Sequence, residues 1–313
     1  MTHNSQILIT GGTGFVGGFL KKQLQNQGDV YLSSRHQNNR DTLQLDLLQP
    51  EGTRDFFDTH DFDKIFHLAA QSNVPLSFEK PFHTLHENIS LTLQLFKTLH
   101  TLHKTSRVIL AGSAQVYQAS KEALREDSPL NPLNPYAISK AVTDHFFQYT
   151  QQLPASQMNS NLLRLFNHTG PGQSDKFVLG SFSKQLAEIK LGLRDPVIKV
   201  GNLNAYRDFL DVRDVCIAYD LAASYTKSGE TYNVCSGKAH KVRDLLEQLI
   251  EISETQATIE LDPNRLRPAE VPTILGSYEK INRDLGWKPT ISIEQTLKDM
   301  FEASVQELKE STP

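Results

Sequence analysis

The chain has 313 residues, of which 38% are apolar and 22% are charged, as is typical of a globular protein with a large core. Its 32 basic and 36 acidic side chains give a formal net charge of -4, which argues against nucleic acid as a partner. No apolar run approaches the roughly 20 residues of a membrane helix, and no signal peptide is recognisable, so we expect a cytoplasmic protein without membrane contact.

Short apolar runs alternate with helix-period segments through the first half of the chain. The strand-like runs cover residues 6–10, 30–33, 42–45, 64–68, 107–111 and 161–165, and the helical segments cover residues 15–27, 84–103 and 136–153. Strands that alternate with helices predict βαβ units with right-handed crossovers. The predicted fold class is therefore α/β, a doubly wound parallel sheet of the Rossmann type.

A glycine-rich turn, TGGTGFVG at residues 10–17, joins the first predicted strand to the first predicted helix. Glycines there let backbone amides and the helix dipole approach a pyrophosphate. A bare glycine motif is weak evidence, but a position between strand and helix is the context that a dinucleotide site requires. The predicted cofactor contacts in this turn are Gly11, Thr13, Gly14, Phe15, Val16 and Gly17.

The end of the second predicted strand indicates which dinucleotide is bound. The acidic residue that would hold a ribose 2′-hydroxyl, about 20 residues after the glycines, is missing. Ser34 and Arg35 stand there instead, and a hydroxyl beside a guanidinium suits a 2′-phosphate. We therefore expect NADP(H); the alternative is that Arg35 stacks on adenine and NAD(H) is also accepted. Asp46, after the third strand, is a candidate for the adenine amino group or a helix cap.

Tyr136 and Lys140 are four residues apart, so the predicted helix places them on one face. An adjacent ammonium and the oxidised nicotinamide of the cofactor are expected to lower the tyrosine pKa from about 10 toward the working pH. Ser113 follows the strand at 107–111, at the carboxyl edge where open α/β sheets bind ligands. Together the three side chains can exchange a proton with a substrate oxygen while hydride moves at the adjacent carbon. The alternative is a surface Tyr–Lys pair.

The pattern changes after residue 165, where proline-containing dipeptides separate shorter elements. Helical segments cover residues 177–191, 212–225, 242–253 and 293–309. We therefore predict that residues 1–165 bind the NADP cofactor and that residues 166–313 mainly form a smaller C-terminal substrate-binding lobe, some of whose segments return to the sheet. Cys216 and Cys235 lie in apolar runs and are expected to be buried thiols. The histidines at 83–103 indicate a solvated helix face, and no metal is expected.

Taken together, these motifs resemble the extended short-chain dehydrogenase/reductase family of nucleotide-sugar enzymes. The resemblance covers nearly the whole chain and includes the glycine turn, DL at 46–47, HLAA at 67–70, EN at 87–88, SAQVY at 113–117, Tyr136 with Lys140, and RLFNHTGPG at 164–172. It implies that Ser113, Tyr136 and Lys140 are the catalytic residues. It also implies cofactor contacts from Asp46, Leu47, Leu68, Ala69, Ala70, Tyr136 and Lys140.

The second half is most similar to the branch of this family that acts on GDP-mannose derivatives. The similar segments are VGNL at 200–203, RDF at 207–209, YNVCSG at 232–237, LRPAEVP at 266–272 and GWKP at 286–289. The similarity implies reduction of a GDP-4-keto-6-deoxymannose to GDP-D-rhamnose, with GDP-6-deoxytalose formation or nucleotide-sugar epimerisation as alternatives. The implied substrate contacts are Ser72, Asn88, Asn167, Val178, Lys184, Arg207, Arg267 and Glu270.

Gln115 argues against dehydration. The resemblance implies that dehydratases of the family contain Thr/Ser-x-Glu at this place, where the Glu supplies the acid and base that elimination of water needs. An amide cannot exchange protons in that way. Elsewhere, the apolar spacing of Ile89, Leu93 and Phe96, with Phe146 on the later helix, indicates core or a dimer surface, and the resemblance implies a homodimer.

Overall fold

The computed structural model of the chain describes residues 4–36, 42–152, 159–225, 227–266 and 271–311. The strands are β1 (Ser5–Thr10), β2 (Gly28–Ser34), β3 (Thr42–Gln44), β4 (Lys64–His67), β5 (Arg107–Ala111), β6 (Ser160–Leu165), β7 (Asn167–Thr169), β8 (Val197–Val200), β9 (Tyr206–Asp211), β10 (Thr231–Val234), β11 (Ala239–Lys241), β12 (Thr258–Leu261) and β13 (Thr273–Ile274). The helices are α1 (Phe15–Leu24), α2 (Pro50–Thr59), α3 (Val74–Glu79), α4 (Pro81–Thr101), α5 (Pro135–Thr150), α6 (Val178–Lys190), α7 (Val212–Ser224), α8 (Val242–Ser253), α9 (Glu279–Leu285) and α10 (Ile293–Ser311).

The larger sheet has seven strands in the order β10-β6-β5-β4-β1-β2-β3, and every pairing in it is parallel. Its inner strands are apolar on both sides because helices cover both faces. In β1, Ile7 and Ile9 pack with α1 and α7, whereas Leu8 packs in the layer of α2, α4 and α5. The predicted doubly wound parallel sheet is confirmed. The strand order reverses between β1 and β4, and such a switch point opens a ligand crevice at the carboxyl ends.

Two elements from the second half of the chain complete this larger sheet. β10 pairs with β6, with Thr231 opposite Leu162, and α7 covers the same face as α1. Trp287, which is 2% exposed, closes that layer and donates its indole N–H to the carbonyl oxygen of Asp214 at 3.0 Å. The return of later segments to the sheet, which the sequence allowed for without locating it, is therefore made by β10.

A smaller mixed sheet, a separate two-stranded sheet and three helices form most of the rest of the described chain. β9 pairs with β7 and β13 in parallel and with β11 in antiparallel fashion, and β8 and β12 form a separate parallel pair. The helices α6, α8 and α10 pack together over a core that includes Phe182, Leu246 and Met300. Within the described ranges, no helix is both long and apolar enough to cross a membrane.

Candidate active site

The turn between β1 and α1 requires glycine at two positions for different reasons. Gly11 has a φ of +65°, and a Cβ there would lie 2.8 Å from the backbone nitrogen of Ala69. At Gly17 a Cβ would lie 2.2 Å from the carbonyl oxygen of Gly12, so any side chain would force α1 away from the turn. The two glycines therefore bring the N-terminus of α1 close to the end of β4, where a pyrophosphate can approach backbone amides.

A cavity of about 410 Å³, which we call the cofactor-side cavity, opens at this turn. Its lining comes from the glycine turn, the segments after β4 and β5, and from α5, β7 and α7. It includes Gly11, Gly14, Phe15, Val16, Gly17, Leu68, Ala69, Ala70, Ser72, Ser113, Gln115, Tyr136, Lys140, Asn167, His168 and Tyr219. The first turn of α1 carries neither an acidic residue nor a side-chain cap. In addition, the buried Tyr219 hydroxyl has no hydrogen-bond partner within the described ranges. These features fit an anionic, polar dinucleotide.

The predicted adenosine-binding residues lie beyond this cavity, at the carboxyl ends of β2 and β3. The guanidinium of Arg35 forms an ion pair with Glu87 of α4, whose side chain is 5% exposed, and about half of the Arg35 side chain is open to solvent. Asp46 accepts the backbone N–H of Leu48 at 3.0 Å and so closes a turn; it does not cap α2, whose N-cap is Gln49 without a side-chain hydrogen bond. Leu47 is buried in the core. Neither Thr13 nor Ser34 is among the residues that line the cofactor-side cavity within the described ranges.

Ser113, Tyr136 and Lys140, here called the Ser–Tyr–Lys group, line the cofactor-side cavity together, and each is less than 10% exposed. Asn134 caps α5 by accepting the Ala137 N–H at 2.8 Å, and this fixes where the helix begins. Lys140 lies one turn after Tyr136 on the same face and donates to the carbonyl oxygen of Ala111 at 2.8 Å. The structure thus brings the three predicted side chains to one edge of the sheet.

The electrostatics of this group differ from the expectation. Burial raises the pKa of Tyr136, and its hydrogen bond with Ser113 offsets only part of that rise. Burial also lowers the pKa of Lys140 to about 8. The side chains of the protein therefore do not by themselves produce the predicted lowering of the tyrosine pKa, because desolvation of the phenolate outweighs stabilising contacts. Tyr136 stays protonated at neutral pH, which is the form that a proton donor needs.

A buried ion pair holds α5 against β6 behind the Ser–Tyr–Lys group. Arg164 donates from Nε and Nη2 to the two carboxylate oxygens of Asp144, at 2.7 and 3.1 Å. Both side chains are at most 5% exposed. Arg164 also donates to the Tyr117 hydroxyl at 2.7 Å, and Tyr117 donates to the Asn233 side chain of β10 at 2.6 Å. This network ties the helix that carries Tyr136 to two neighbouring strands.

Two further cavities continue from the first. A small one of about 60 Å³, the middle cavity, shares Gln115, Asn167 and Ile274 with the cofactor-side cavity. The outer cavity, of about 420 Å³, shares Asn167 with both and Arg207 with the middle one. Asn167 therefore lies at the junction of all three, which form one continuous cleft from the glycine turn to the smaller lobe.

The outer cavity combines apolar walls with cationic side chains. Its walls include Phe177, Val178 and Phe182 of the α6 region, and three cations line it: Lys176, Arg207 and Arg265. Arg207, 9% exposed, donates to the carbonyl oxygens of Tyr206 and Pro272 at 2.8 and 3.3 Å. With only Glu79 and Asp175 as acidic lining residues in the described ranges, the balance of charge favours an anionic ligand with an apolar part.

Among the described residues, some of those predicted to contact the substrate do not line the cleft. Lys184 pairs with Asp175 at 2.8 Å and is not among the residues that line the three cavities within the described ranges. Asn88 is 2% exposed, and its amide accepts the Gln71 N–H and donates to Ser139, so it holds the loop beside α5. Arg267 and Glu270 lie outside the described residues.

Arg265, His168 and Tyr219 are among the cleft residues that the sequence did not predict. Arg265 donates to the Ser181 hydroxyl at 2.9 Å in the outer cavity, and its position after the Asp262-Pro263 turn was the available signal. His168 pairs through Nδ1 with the Phe166 carbonyl at 3.1 Å, which makes that nitrogen the protonated one. Tyr219 lies on α7, far along the chain from the rest of its cavity, and no sequence signal pointed to it.

Comparisons with known proteins agree with this geometry. A family model described as GDP-mannose 4,6 dehydratase matches residues 8–300. GDP-6-deoxy-D-mannose reductase of Pseudomonas aeruginosa is 36% identical over 299 residues, which cover 94% of this chain and 95% of that protein. GDP-mannose 4,6 dehydratase 2 of Arabidopsis thaliana is 28% identical over 96% of this chain and 86% of its own length.

Solved structures show the same architecture. RMD from Pseudomonas aeruginosa, complexed with NADPH, superposes with a TM-score of 0.85 at 33% identity, over 97% of this chain and all of that one. The UDP-glucose 4-epimerase of Thermotoga maritima reaches a TM-score of 0.87 at 24% identity over 97% and 99% of the two chains, and shares the fold. The chain belongs to the extended short-chain dehydrogenase/reductase family of nucleotide-sugar epimerases and dehydratases.

Proposed function

We propose that the protein is an NADPH-dependent reductase that converts GDP-4-dehydro-6-deoxy-D-mannose into GDP-D-rhamnose. The name of the Pseudomonas aeruginosa relative supports the substrate, and the NADPH complex of the similar structure supports the cofactor. The intact Ser–Tyr–Lys group supports redox chemistry at a carbon that bears oxygen. The outer cavity of the cleft is lined by three cations, and this charge suits a sugar linked to a nucleoside diphosphate.

One observation favours reduction over dehydration. Within the described ranges, neither the cofactor-side cavity nor the middle cavity has an Asp or Glu in its lining. Elimination of water needs an acid and a base beside the sugar, whereas reduction of a ketone needs a single proton donor. Tyr136 supplies that donor, and Gln115 occupies the place where an acid would act.

The chain's own residues divide the work as follows. Tyr136 donates its hydroxyl proton to the carbonyl oxygen of the sugar, and the Ser113 hydroxyl holds the same oxygen in position. The Lys140 ammonium lowers the cost of the phenolate that Tyr136 leaves behind. NADPH, when bound at the glycine turn, supplies the hydride for the carbonyl carbon. One hydride and one proton convert the ketone into the alcohol.

Arg35 is proposed to select NADPH through the 2′-phosphate. Arg35→Gln should raise the KM for NADPH roughly 10- to 100-fold, the range for a charge-assisted hydrogen bond, and leave the KM for NADH nearly unchanged. Glutamine is chosen over aspartate because an acid would stand against the buried carboxylate of Glu87. Steady-state kinetics with both cofactors measures the effect, with the exposed Arg54→Gln as control. Equal losses for the two cofactors would show that Arg35 supports the fold instead.

The pH dependence follows from Lys140. Because its pKa is lowered to about 8, the ammonium is present at neutral pH and is lost as the pH rises through that value. Tyr136, with a raised pKa, stays protonated over the same range. We therefore expect kcat/KM for NADPH, which reports on the free enzyme, to fall above pH about 8. Rates in overlapping buffers at constant ionic strength test this, and a value that climbs steadily to pH about 10 would contradict it.

We also propose where the nucleotide of the substrate binds. Residues 166–313 would mainly hold the GDP moiety, with Arg207, Val178 and Asn167 in the cleft.

A group of exposed apolar residues lies on α4 and α5. Ile138, Val142 and Tyr149 of α5 are 40 to 58% exposed, and Leu93 of α4 is 39% exposed. Phe96, by contrast, is core and packs edge-to-face on Phe146. We propose that the exposed residues form a homodimer interface between copies of α4 and α5, which sedimentation equilibrium would measure.

The function is tested by product identification. The purified protein is incubated with GDP-4-dehydro-6-deoxy-D-mannose and NADPH, NADPH oxidation is followed by absorbance, and the sugar is identified by NMR. We expect one NADPH oxidised for each GDP-D-rhamnose formed. GDP-6-deoxytalose would change the stereochemistry of the proposal, and an isomerised sugar without net NADPH consumption would replace it with an epimerase.

A further inference from the structure

The side-chain amide of Gln115 has an orientation that its neighbours determine. The backbone N–H of Ala137 can only donate, and it donates to Oδ1 of Asn134 at 2.8 Å. The other end of the Asn134 amide is therefore its NH₂ group, which can only donate in turn. It donates to Oε1 of Gln115 at 3.0 Å. The start of α5 thus decides which end of Gln115 is the carbonyl.

The NH₂ end of the Gln115 side chain faces the cleft. Gln115 is part-buried and lines both the cofactor-side cavity and the middle cavity. Within the described ranges, no acceptor is paired with its Nε2, whereas its backbone N–H is held by the Ser113 hydroxyl at 3.2 Å. With Oε1 occupied by Asn134, the side chain presents two N–H donors beside the Ser–Tyr–Lys group.

We propose that Gln115 is a positioning residue that donates a hydrogen bond to an acceptor oxygen of the bound sugar, and that Asn134 sets its direction. The inference deepens the proposed function and rests on it for the identity of the sugar. An N–H donor pairs with a carbonyl oxygen, which can only accept, and a carboxylate at this place would repel the same oxygen. Gln115 therefore accommodates a keto oxygen that a carboxylate would repel, in addition to lacking the acid that dehydration needs.

The decisive variant leaves Gln115 itself unchanged. Asn134→Asp keeps an oxygen that caps Ala137, since Asp and Asn are equally good N-caps, but it replaces the donor that faces Gln115 with an acceptor. Gln115 must then turn its NH₂ toward residue 134 and its carbonyl oxygen into the cleft. We expect the KM for GDP-4-dehydro-6-deoxy-D-mannose to rise roughly 3- to 10-fold, the effect of one hydrogen bond. The Kd for GDP, measured by calorimetry, and the Tm should stay at wild-type values.

Two further variants complete the test. Gln115→Glu keeps the hydrogen bond from Asn134 and presents a carboxylate oxygen to the sugar, so its KM should rise at least as much, again with an unchanged Kd for GDP. Asn73→Asp is the control for a new carboxylate at a helix N-cap, because Asn73 caps α3 by accepting the Leu76 N–H at 2.8 Å. Unlike Asn134, which lines the middle cavity, Asn73 is absent from the linings of the three cavities as described. Its KM should equal that of the wild type.

The outcomes separate this inference from the proposed function. A wild-type KM in Asn134→Asp would overturn the inference, even with Gln115→Glu impaired. If Asn134→Asp does not fold, Gln115→Glu decides, and an unchanged KM in that variant overturns it. A wild-type protein that binds UDP-glucose more tightly than GDP-mannose would overturn the proposed function alone. The same variants would then be compared by their Kd for UDP-glucose and for UDP.

Discussion

Tyr136→Phe is expected to lose at least about 100-fold in turnover while it keeps its affinity for NADPH. The substitution removes one hydroxyl from a side chain that is 9% exposed and leaves the ring in place. The carbonyl oxygen then loses its proton donor, because Ser113 is a far weaker acid and the Lys140 ammonium is directed at the carbonyl oxygen of Ala111 at 2.8 Å. Turnover with saturating NADPH and the Kd for NADPH measure the two quantities.

The control is the same substitution elsewhere on the same helix. Tyr149 is 58% exposed and far from the cleft, and Tyr149→Phe should keep wild-type turnover. Near-normal turnover in Tyr136→Phe would remove the tyrosine from its assigned role and leave Lys140 as the donor. A joint loss of turnover and of NADPH binding would instead indicate that the hydroxyl supports the structure of the cavity.

Asp144→Ala is expected to lower the free energy of unfolding by about 3–5 kcal/mol, the cost of leaving a buried charge without its partner. Arg164 would keep a full positive charge in a site that is 5% exposed. Urea unfolding measures the change. Asp58→Ala breaks an exposed i,i+4 pair with Arg54 and should change stability by about 0.5 kcal/mol or less.

Removing both charges of the ion pair tests whether the unpaired charge causes the loss of stability. Asp144→Leu combined with Arg164→Met should recover most of the lost stability, since apolar side chains of similar volume can replace a buried ion pair. Tyr117 would lose one donor in that variant but keep its bond to Asn233. If the double variant were as unstable as Asp144→Ala, the hydrogen bonds of Arg164 to Tyr117 and to the Glu126 carbonyl would be the main contribution.

The larger sheet was predictable from the sequence because each of its main strands has a recognisable local pattern of apolar residues. Runs such as that of β1 are apolar on both sides, which is typical of a buried strand. The glycine turn and the start of the helix before Tyr136 contain glycine and proline residues that are typical of a turn and of a helix start. α2 was missed because it is short and its sequence, PEGTRDFFDT, has a low mean hydropathy. β10 was missed because TYNV is four residues long and half polar, so only its pairing with β6 identifies it.

The candidate site likewise has features that the sequence predicts and features that it does not. Ser113, Tyr136 and Lys140 are found together because strand ends and one helix face are periodic features. Lys184 shows the limit: a motif gives a residue's position on α6 but not whether Asp175 has already paired with it. The pKa of Tyr136 depends on how completely the surroundings exclude water, which is a property of the packed fold.

The position of β10 also has a consequence for how the protein is made. Until residues 231–234 have left the ribosome, β6 is the edge of the sheet, with a row of unpaired backbone groups. The nascent chain therefore carries the glycine turn and Tyr136 for much of its synthesis without a finished sheet to support them. The larger sheet is therefore completed only late in translation, when a strand from the second half of the chain pairs with β6.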